Sequence, residues 1–462
     1  MHGNNPLQIP EIIRKISRYV TTNDATACAR VCKAWSDHFV AAIWHTVDFT
    51  PKVKTKTLER HGHHIRVVKN IKELDHIMAL ISSDARLRQI SIVMTATPEF
   101  YAYFSDLLRQ NSTVLESMEI SQPSSNTIPF FAADSLIAMP GTGTASRLSS
   151  INISGLTMTR DAFSSLLKAC PALNQLDIRG TALLSTLTRK SDARCYKHAK
   201  ITYLSAPIEQ VFEMDDRFKN TPSLFVHFPN LKRWRTWKWT SNIDIPSNLI
   251  RDEVARCCPM LTILSTSCPT SMTINFLTQV FGDLTCITIL NRQLSADLVM
   301  AILKHQETLT RIFTFKPFAD FYDNGVIPEV ESTAVDTDGW VIQSIPRLCP
   351  QLTSLHLLLY EMDMDDIEKS KWACHDLISL FIRVRGLNTK KKIDRAIQLW
   401  QEGRIVTVKK QGKQKMTSSN SCQWSIGIHP SDNSIEARVA RHLLKFKKLR
   451  EVWLGWNIRK VA

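Results

Sequence analysis

His61-Gly62-His63-His64 gathers three imidazoles within four residues. Zinc would need three or four ligands converging at set spacings, and no cysteine or carboxylate of suitable spacing accompanies these. The tract therefore reads as a solvent-facing turn entering a strand at Ile65 to Val68. Gly141-Thr142-Gly143-Thr144 has the glycines of a phosphate cradle but neither the following lysine nor a strand-to-helix setting. No Gly-x-Ser-x-Gly elbow and no His-Glu-x-x-His occurs. Cys257-Cys258 stands before Pro259 as Cys170 stands before Pro171 and Cys349 before Pro350, so these thiols read as helix ends and not as nucleophiles. No catalytic residue, cofactor or metal is expected. What remains is recognition chemistry. Arg233-Trp234-Arg235-Thr236-Trp237-Lys238-Trp239 combines guanidinium forks, which suit phosphate or carboxylate, with rings that stack on bases or cover apolar side chains.

A repeated phrase positions these residues. Leu-x-x-Leu-x-Ile, with aliphatic substitutions, occurs at Leu87/Ile90/Ile92, Leu115/Met118/Ile120, Leu148/Ile151/Ile153, Leu173/Leu176/Ile178, Ile201/Leu204/Ala206 and Leu231/Trp234/Thr236. It continues at Leu261/Leu264/Thr266, Leu284/Ile287/Ile289, Leu309/Ile312/Thr314, Leu352/Leu355/Leu357, Leu377/Leu380/Ile382 and Leu449/Val452/Leu454. Successive starts lie 23 to 33 residues apart over the first eight intervals and then 43, 25 and 72 apart, so the long gaps mark insertions. The second and third apolar positions fall on one face of a short strand. Helices ending in Cys-Pro or Phe-Pro precede several strands: Phe163 to Cys170, Leu224 to Phe228, Leu249 to Cys258 and Val341 to Cys349. The phrase thus resembles a leucine-rich repeat, and predicts an irregular α/β solenoid with parallel strands on a concave face and helices outside. The ladder asparagine is missing, its place taken by Thr181, Trp239, Pro269 and Arg292, and the phrases at Ile201 and Leu231 are the expected points of mispairing.

In that register the concave face carries Gln175, Asp177, Arg179, Arg233, Arg235, Trp237, Arg311, Phe313, Phe315, Ser354, His356, Phe381, Arg383, Glu451 and Trp453. Arginines and aromatics dominate. Arg233, Arg235, Trp237, Arg311, Phe313, Phe315, His356, Phe381, Arg383 and Trp453 are the candidate target-binding set, suited to an extended acidic or phosphorylated peptide. The bland reading, strand residues covered by arginine stems, stays open. Nucleic acid ranks below a protein partner, because Trp234 falls on a core position of the repeat.

Before the repeats, Pro10 sits like a first-turn proline and Ile12, Ile13, Ile16 and Tyr19 or Val20 follow at helical spacing. Asn23 or Asp24 can cap a second helix bearing Ala27, Cys28, Val31 and Cys32. Trp35, Phe39, Ile43 and Trp44 line a third. The Leu7-x-x-Pro10-Glu11-Ile12-Ile13 opening, Val31-Cys32-Lys33-x-Trp35 and the terminal Trp44 resemble an F-box. The resemblance implies docking onto the Skp-type adaptor of a cullin-RING (SCF) ubiquitin ligase through Leu7, Ile9, Pro10, Glu11, Ile12, Ile16, Val31, Cys32 and Trp35. It divides the chain into an F-box (1–50), a connecting segment with the first solenoid turn (51–86) and a repeat solenoid (87–462) with inserts at about 316–340 and 386–435. Phe39 to Phe49 would then anchor the module to the repeats.

The 462 residues are 44% hydrophobic, a folded composition. No apolar run is long enough to span a membrane, and Met1-His2-Gly3-Asn4-Asn5 is unlike a signal peptide. A cytosolic or nuclear location is expected, with the 11 cysteines reduced. Of the net charge of +15, nine units lie between Arg383 and Lys415, where eleven basic residues face Asp394 and Glu402. Residues 389 to 402 fit a helix, and Arg404 to Lys410 with Cys422 to Ile428 fit a β-hairpin. The acidic run Asp320, Asp323, Glu329, Glu331, Asp336 and Asp338 reads as solvated loop. The expected function is a non-catalytic receptor subunit of an SCF ligase. The alternative is a scaffold or basic nucleic-acid-binding solenoid whose F-box-like helices only cap the repeats.

Overall fold

All twelve phrases form strands in the computed structural model, and every one of their 36 apolar or threonine positions is buried. The structure describes residues 9–17, 19–49, 53–93, 97–121, 147–154, 157–178, 182–184, 196–212, 223–237, 246–290, 294–315, 339–412 and 431–454. The chain forms two compact units, one of Met1–Leu231 with Cys257–Pro259 and one of Lys232–Arg256 with Met260–Ala462. Each carries leucine-rich-repeat-like strand–helix turns. The Gly141 to Thr144 tract, the acidic run and Leu7 lie outside the described residues.

The first unit opens with α1 (Pro10–Ser17), α2 (Thr22–Cys28) and α3 (Lys33–Trp44). Glu11 in the first turn of α1 suits the helix dipole, and the Ile9 carbonyl accepts from the Ile12 and Ile13 amides at 3.1 Å. The cap of α2 is Thr21, two residues before Asn23 and three before Asp24, the expected caps. Its hydroxyl accepts from the Asp24 amide at 3.2 Å and donates to the Asp24 carboxylate at 2.7 Å.

α3 runs through His45 into β1 (Thr46–Asp48), a strand with no repeat phrase. The sheet continues in parallel through β2 (Val67–Ile71), β3 (Gln89–Val93), β4 (Ser117–Ser121), β5 (Ser150–Ser154), β7 (Gln175–Asp177) and β9 (Tyr203–Ser205). β6 (Thr157–Thr159) and β8 (Ala182–Leu184) pair separately. In register, Ile90 pairs with Met118, Met118 with Ile151, Ile151 with Leu176 and Leu176 with Leu204. The phrase at Ile201 is therefore not mispaired. One irregularity falls in β2, where Asn70 takes a φ of 58° and donates to Asp48 at 2.9 Å. The helices are α4 (Thr55–His61), α5 (Leu74–Ser82), α6 (Pro98–Asn111), α7 (Arg160–Ala169) and α8 (Ile208–Phe212). Leu224–His227 is a 3₁₀ turn, too short for the helix expected there.

The second unit has parallel strands β10 (Arg233–Thr236), β11 (Ile263–Thr266), β12 (Cys286–Leu290), β13 (Arg311–Phe315), β14 (Ser354–Met362), β15 (Ser379–Val384) and β16 (Glu451–Leu454), in that order. Trp234, Leu264, Ile287, Ile312, Leu355, Leu380 and Val452 lie side by side across it. Trp234 is fully buried with its ring 5.8 Å from Phe276, so the weak phrase at Leu231 also holds register. Helices α9 (Ser247–Cys257), α10 (Thr270–Asn275), α11 (Ala296–Leu303), α12 (Gly339–Leu348), α13 (Met364–Lys369), α14 (Lys390–Gly412) and α15 (Ile435–Leu443) connect the strands.

The expected hairpin is corrected by α14, which runs unbroken through Arg404 to Gly412. Ile393, Ala396 and Trp400 bury one side of its first three turns, and extending a helix already formed adds one hydrogen bond per residue, which outweighs the β-branched run Ile405-Val406-Thr407-Val408. Cys422 to Ile428 lies outside the described residues.

A threonine ladder stands at the starts of β12, β13 and β14. Thr285 Oγ1 donates to the Thr262 carbonyl at 3.3 Å, Thr310 to Thr285 at 2.8 Å and Thr353 to Thr310 at 3.0 Å. These hydroxyls fasten neighbouring turns, a role the missing asparagine would have filled elsewhere in the repeat. Replacing Thr285, Thr310 and Thr353 together by valine keeps shape and removes three half-buried bonds. The unfolding free energy should fall by about 2 kcal/mol in sum, read as a lower urea midpoint at unchanged slope.

Candidate functional site

The N-terminal helices close around a core of their own. Ile13, Ala25 and Phe39 are buried, and Ile16, Val20, Cys28, Ala29, Trp35 and Ile43 pack on them. Of the residues the resemblance assigned to the adaptor, Ile16 and Trp35 thus serve this core, with the Trp35 ring 5.5 Å from Phe39. Ile9 is half-buried at the entry to α1, and Leu7 lies outside the described residues. Pro10, Glu11, Ile12, Val31 and Cys32 face outward. Ile12 is 38% exposed, Val31 63% and Tyr19 82%. Of the two residues that helical spacing offered for the end of this apolar side, Val20 packs on the core and Tyr19 is outward.

Different residues attach the module to the sheet. Trp44 stacks on His61 at 4.9 Å, Val47 is buried in β1, and Phe49 packs against His76 at 4.7 Å. The Phe49 amide donates to the Lys69 carbonyl, and the Arg66 and Val67 amides donate to that of His45. His61-Gly62-His63-His64 is accordingly a helix end and a 3₁₀ turn, with Gly62 buried where a Cβ would strike the Ser83 side chain. Burial, then neighbouring cations, lower the pKa of His61 and His64. Among the described residues no group of three or more potential metal ligands converges.

The strand faces away from the helices differ between the two units. In the first, a polar row runs Ser91, Glu119, Asn152, Asp177, Ser205, with the Asn152 amide donating to Glu119 at 3.0 Å. Arg179 lies outside the described residues. In the second, the corresponding row is Arg235, Ser265, Thr288, Phe313, His356, Phe381, Trp453. Beside it runs Arg233, Ile263, Cys286, Arg311, Ser354, Ser379, Glu451.

Four rings in the first of these rows touch in sequence. Phe313 meets His356 edge-on at 4.6 Å, His356 stacks on Phe381 at 3.9 Å, and Phe381 meets Trp453 edge-on at 5.7 Å. His356 and Trp453 are buried in this row, while Phe313, Phe381, Arg235, Trp237, Arg311 and Arg383 are partly exposed and Arg233 is exposed. Phe315 ends β13; its side chain is outside the description. Burial lowers the Arg383 guanidinium pKa, and Glu361, its register partner, raises it. The polar partner of His356 that sequence reading missed is Ser379, 2.7 Å from Nε2. Lateral counting from the phrase would have found it.

The cysteines at helix ends are unfit for nucleophilic work. Burial pushes the Cys170 and Cys349 thiols up to about 12, and does the same to Cys374 in the loop before β15, so the reactive thiolate is absent at neutral pH. Cys258 donates to the Phe228 carbonyl at 3.4 Å.

No protein-family model matches the chain, and no curated protein matches it in sequence. Among solved structures it is similar to one described as the crystal structure of Rad7 and Elc1 complex in yeast, at 15% identity and a TM-score of 0.37, covering 83% of this chain and 90% of that one.

His356 predicts a pH response. Burial holds its pKa at about 4 in the fold against an ordinary 6.5, so the unfolded chain binds the proton more readily between those values. Stability is full above pH 6.5 and declines as pH falls toward 4. His442, held at about 3 by burial and Lys445, adds to the same limb. His356→Phe keeps a ring in the row and should flatten the decline by on the order of 2 kcal/mol, measured by urea titration at pH 7 and pH 4.5.

Proposed function

We propose that this chain is the target-recognition subunit of an SCF-type ubiquitin ligase. The N-terminal helices dock a Skp-type adaptor, and through it the cullin-RING assembly. The strand face of the second unit holds a target protein, and the chain supplies proximity while other subunits supply the chemistry. It works in the cytosol or nucleus, where its thiols stay reduced.

One observation carries this reading. Ile12, Val31 and Tyr19 remain exposed on a module whose core is already closed by Ile13, Ala25 and Phe39 and whose attachment to the sheet uses Trp44, Val47 and Phe49. Helices that merely capped the repeats would turn their surplus aliphatic side chains toward the sheet. Apolar side chains left outward on a small, otherwise satisfied module favour a partner. The aromatic row argues against a nucleic-acid platform, since the His356 and Phe381 faces are stacked on each other and not presented for bases.

The test uses the full chain and purified Skp-type adaptor. Ile12→Asp with Val31→Asp should weaken binding at least 100-fold while the thermal midpoint stays within a few degrees, because both side chains are outside the core. Ile13→Asp should instead unfold the module. Equal adaptor binding by wild type and the Ile12→Asp/Val31→Asp variant, or no binding by wild type, contradicts the proposal.

A further inference from the structure

One side-chain position of the repeat reaches back to the turn before it. Asn111 stands four residues before Leu115, and its Oδ1 accepts from the amide of Leu87, which opens the preceding phrase, at 2.6 Å. His305 stands four residues before Leu309, and its Nδ1 accepts from the amide of Leu284, which likewise opens the preceding phrase, at 3.3 Å. The local turns match: the Val114 and Leu115 amides donate to the Asn111 carbonyl, and the Thr308 and Leu309 amides donate to that of His305. Both side chains are buried, and each closes the amide of a fully buried leucine. The same latch is therefore built twice, once with an amide group that does not titrate and once with an imidazole that does.

The surroundings of His305 decide its tautomer. Nε2 lies 2.9 Å from the Leu277 carbonyl, which can only accept, so the neutral ring carries its proton there and leaves Nδ1 to accept from Leu284. The Gly282 carbonyl lies 3.1 Å from the same Nδ1. A ring nitrogen set between an amide and a carbonyl finds one partner in each protonation state. The imidazolium donates to both carbonyls, Leu277 and Gly282, and leaves the Leu284 N–H facing another donor. Asn111 has no such second state, and its Nδ2 donates to the Leu107 carbonyl at 2.8 Å. Two charged groups act on the imidazole, Asp283 from the loop and Lys304 from its own segment, while the turn Phe276–Val280 behind Nε2 carries none. Burial lowers the His305 pKa and prevails over the two carbonyl bonds and Asp283, which raise it, so the ring takes up its proton below pH 6.5.

We infer that His305 is a protonation switch on the turn that feeds β12. Neutral, it holds the Leu284 amide and fixes where the strand begins; protonated, it releases that amide and takes the Gly282 carbonyl instead. Gly282 is exposed and has nothing within 4 Å of the place a Cβ would occupy, so its peptide has room to follow the new bond. The Leu284 carbonyl stays with the Thr308 hydroxyl at 2.9 Å, which confines the opening to the amide side, next to the Thr285 rung. A buried N–H without a partner is costly, so the released segment opens locally while the rest of the sheet stays paired. The device stands apart from the receptor role.

The test is hydrogen exchange of the full chain at pH 7.5 and pH 5, each corrected for the intrinsic rate and read at the Leu284 amide. Protection there should fall by about tenfold or more at pH 5, while the Leu87 amide and strand β15 keep theirs. His305→Asn copies the latch of the first unit and should make Leu284 protection indifferent to pH. His305→Ala should lower it at both pH values. Spectra of the chain labelled with 15N-histidine should place the neutral proton of His305 on Nε2. Leu284 protection that is equal at the two pH values, an acid loss of the same size in His305→Asn, a parallel loss throughout β15, wild-type protection in His305→Ala, or a neutral proton on Nδ1 overturns the inference.

Discussion

In both units the strands pair so that the middle apolar residue of each phrase lies beside the middle apolar residue of the next, from Ile90 to Leu204 in one and from Trp234 to Val452 in the other. Side chains alternate along a strand, so a slip of one residue would carry the core to the surface and the surface to the core. The same lateral alignment that buries Leu264, Ile287 and Ile312 therefore places Ser265, Thr288 and Phe313 in one outward row. Core and outward face are two consequences of one register. In the second unit the hydroxyls of Thr285, Thr310 and Thr353 each bond to the preceding turn and pin that register from the edge.

The phrase was legible because apolar alternation is a local signal and buried parallel strands tolerate little else. Even Ala206, Thr236 and Trp234, the least regular members, keep their places and are buried, the Trp234 ring packing against Phe276. Three features escaped for physical reasons. β1 carries only Val47 as a buried apolar residue and is held by pairing with β2, a long-range interaction that no local pattern announces. The end of α14 contradicts its β-branched sequence because helix propagation and the packing of its first turns prevail over propensity. His356 looked like a surface contact and is a buried one, since the neighbouring strands bring Phe313 and Phe381 against it. Ile16 and Trp35 likewise turned inward once three helices met, while Ile12 and Val31 on the same elements stayed outside.

Side-chain chemistry is subordinate to packing through most of the described chain. Thiols at helix ends are protonated by burial, imidazoles at 61 and 356 lie against rings, and the ion pair of Arg438 with Glu368 at 2.7 Å braces α13 against α15. Among the described residues, two surfaces stand out that packing does not consume: the outward aliphatic positions of the N-terminal helices and the arginine-bearing strand face of the second unit. Two unlike surfaces on one chain suit a protein that holds two partners.

Disulfide trapping tests the register most directly. Ser265→Cys with Thr288→Cys places two thiols on paired positions of β11 and β12, and Ser265→Cys with Ile289→Cys offsets one of them to the core face. Mild oxidation followed by peptide mapping should yield the 265–288 cross-link and leave the 265–289 pair unlinked. A 265–289 link without the 265–288 link would mean that the strands pair one residue away from the described register, and that the rows carrying the proposed recognition face do not exist.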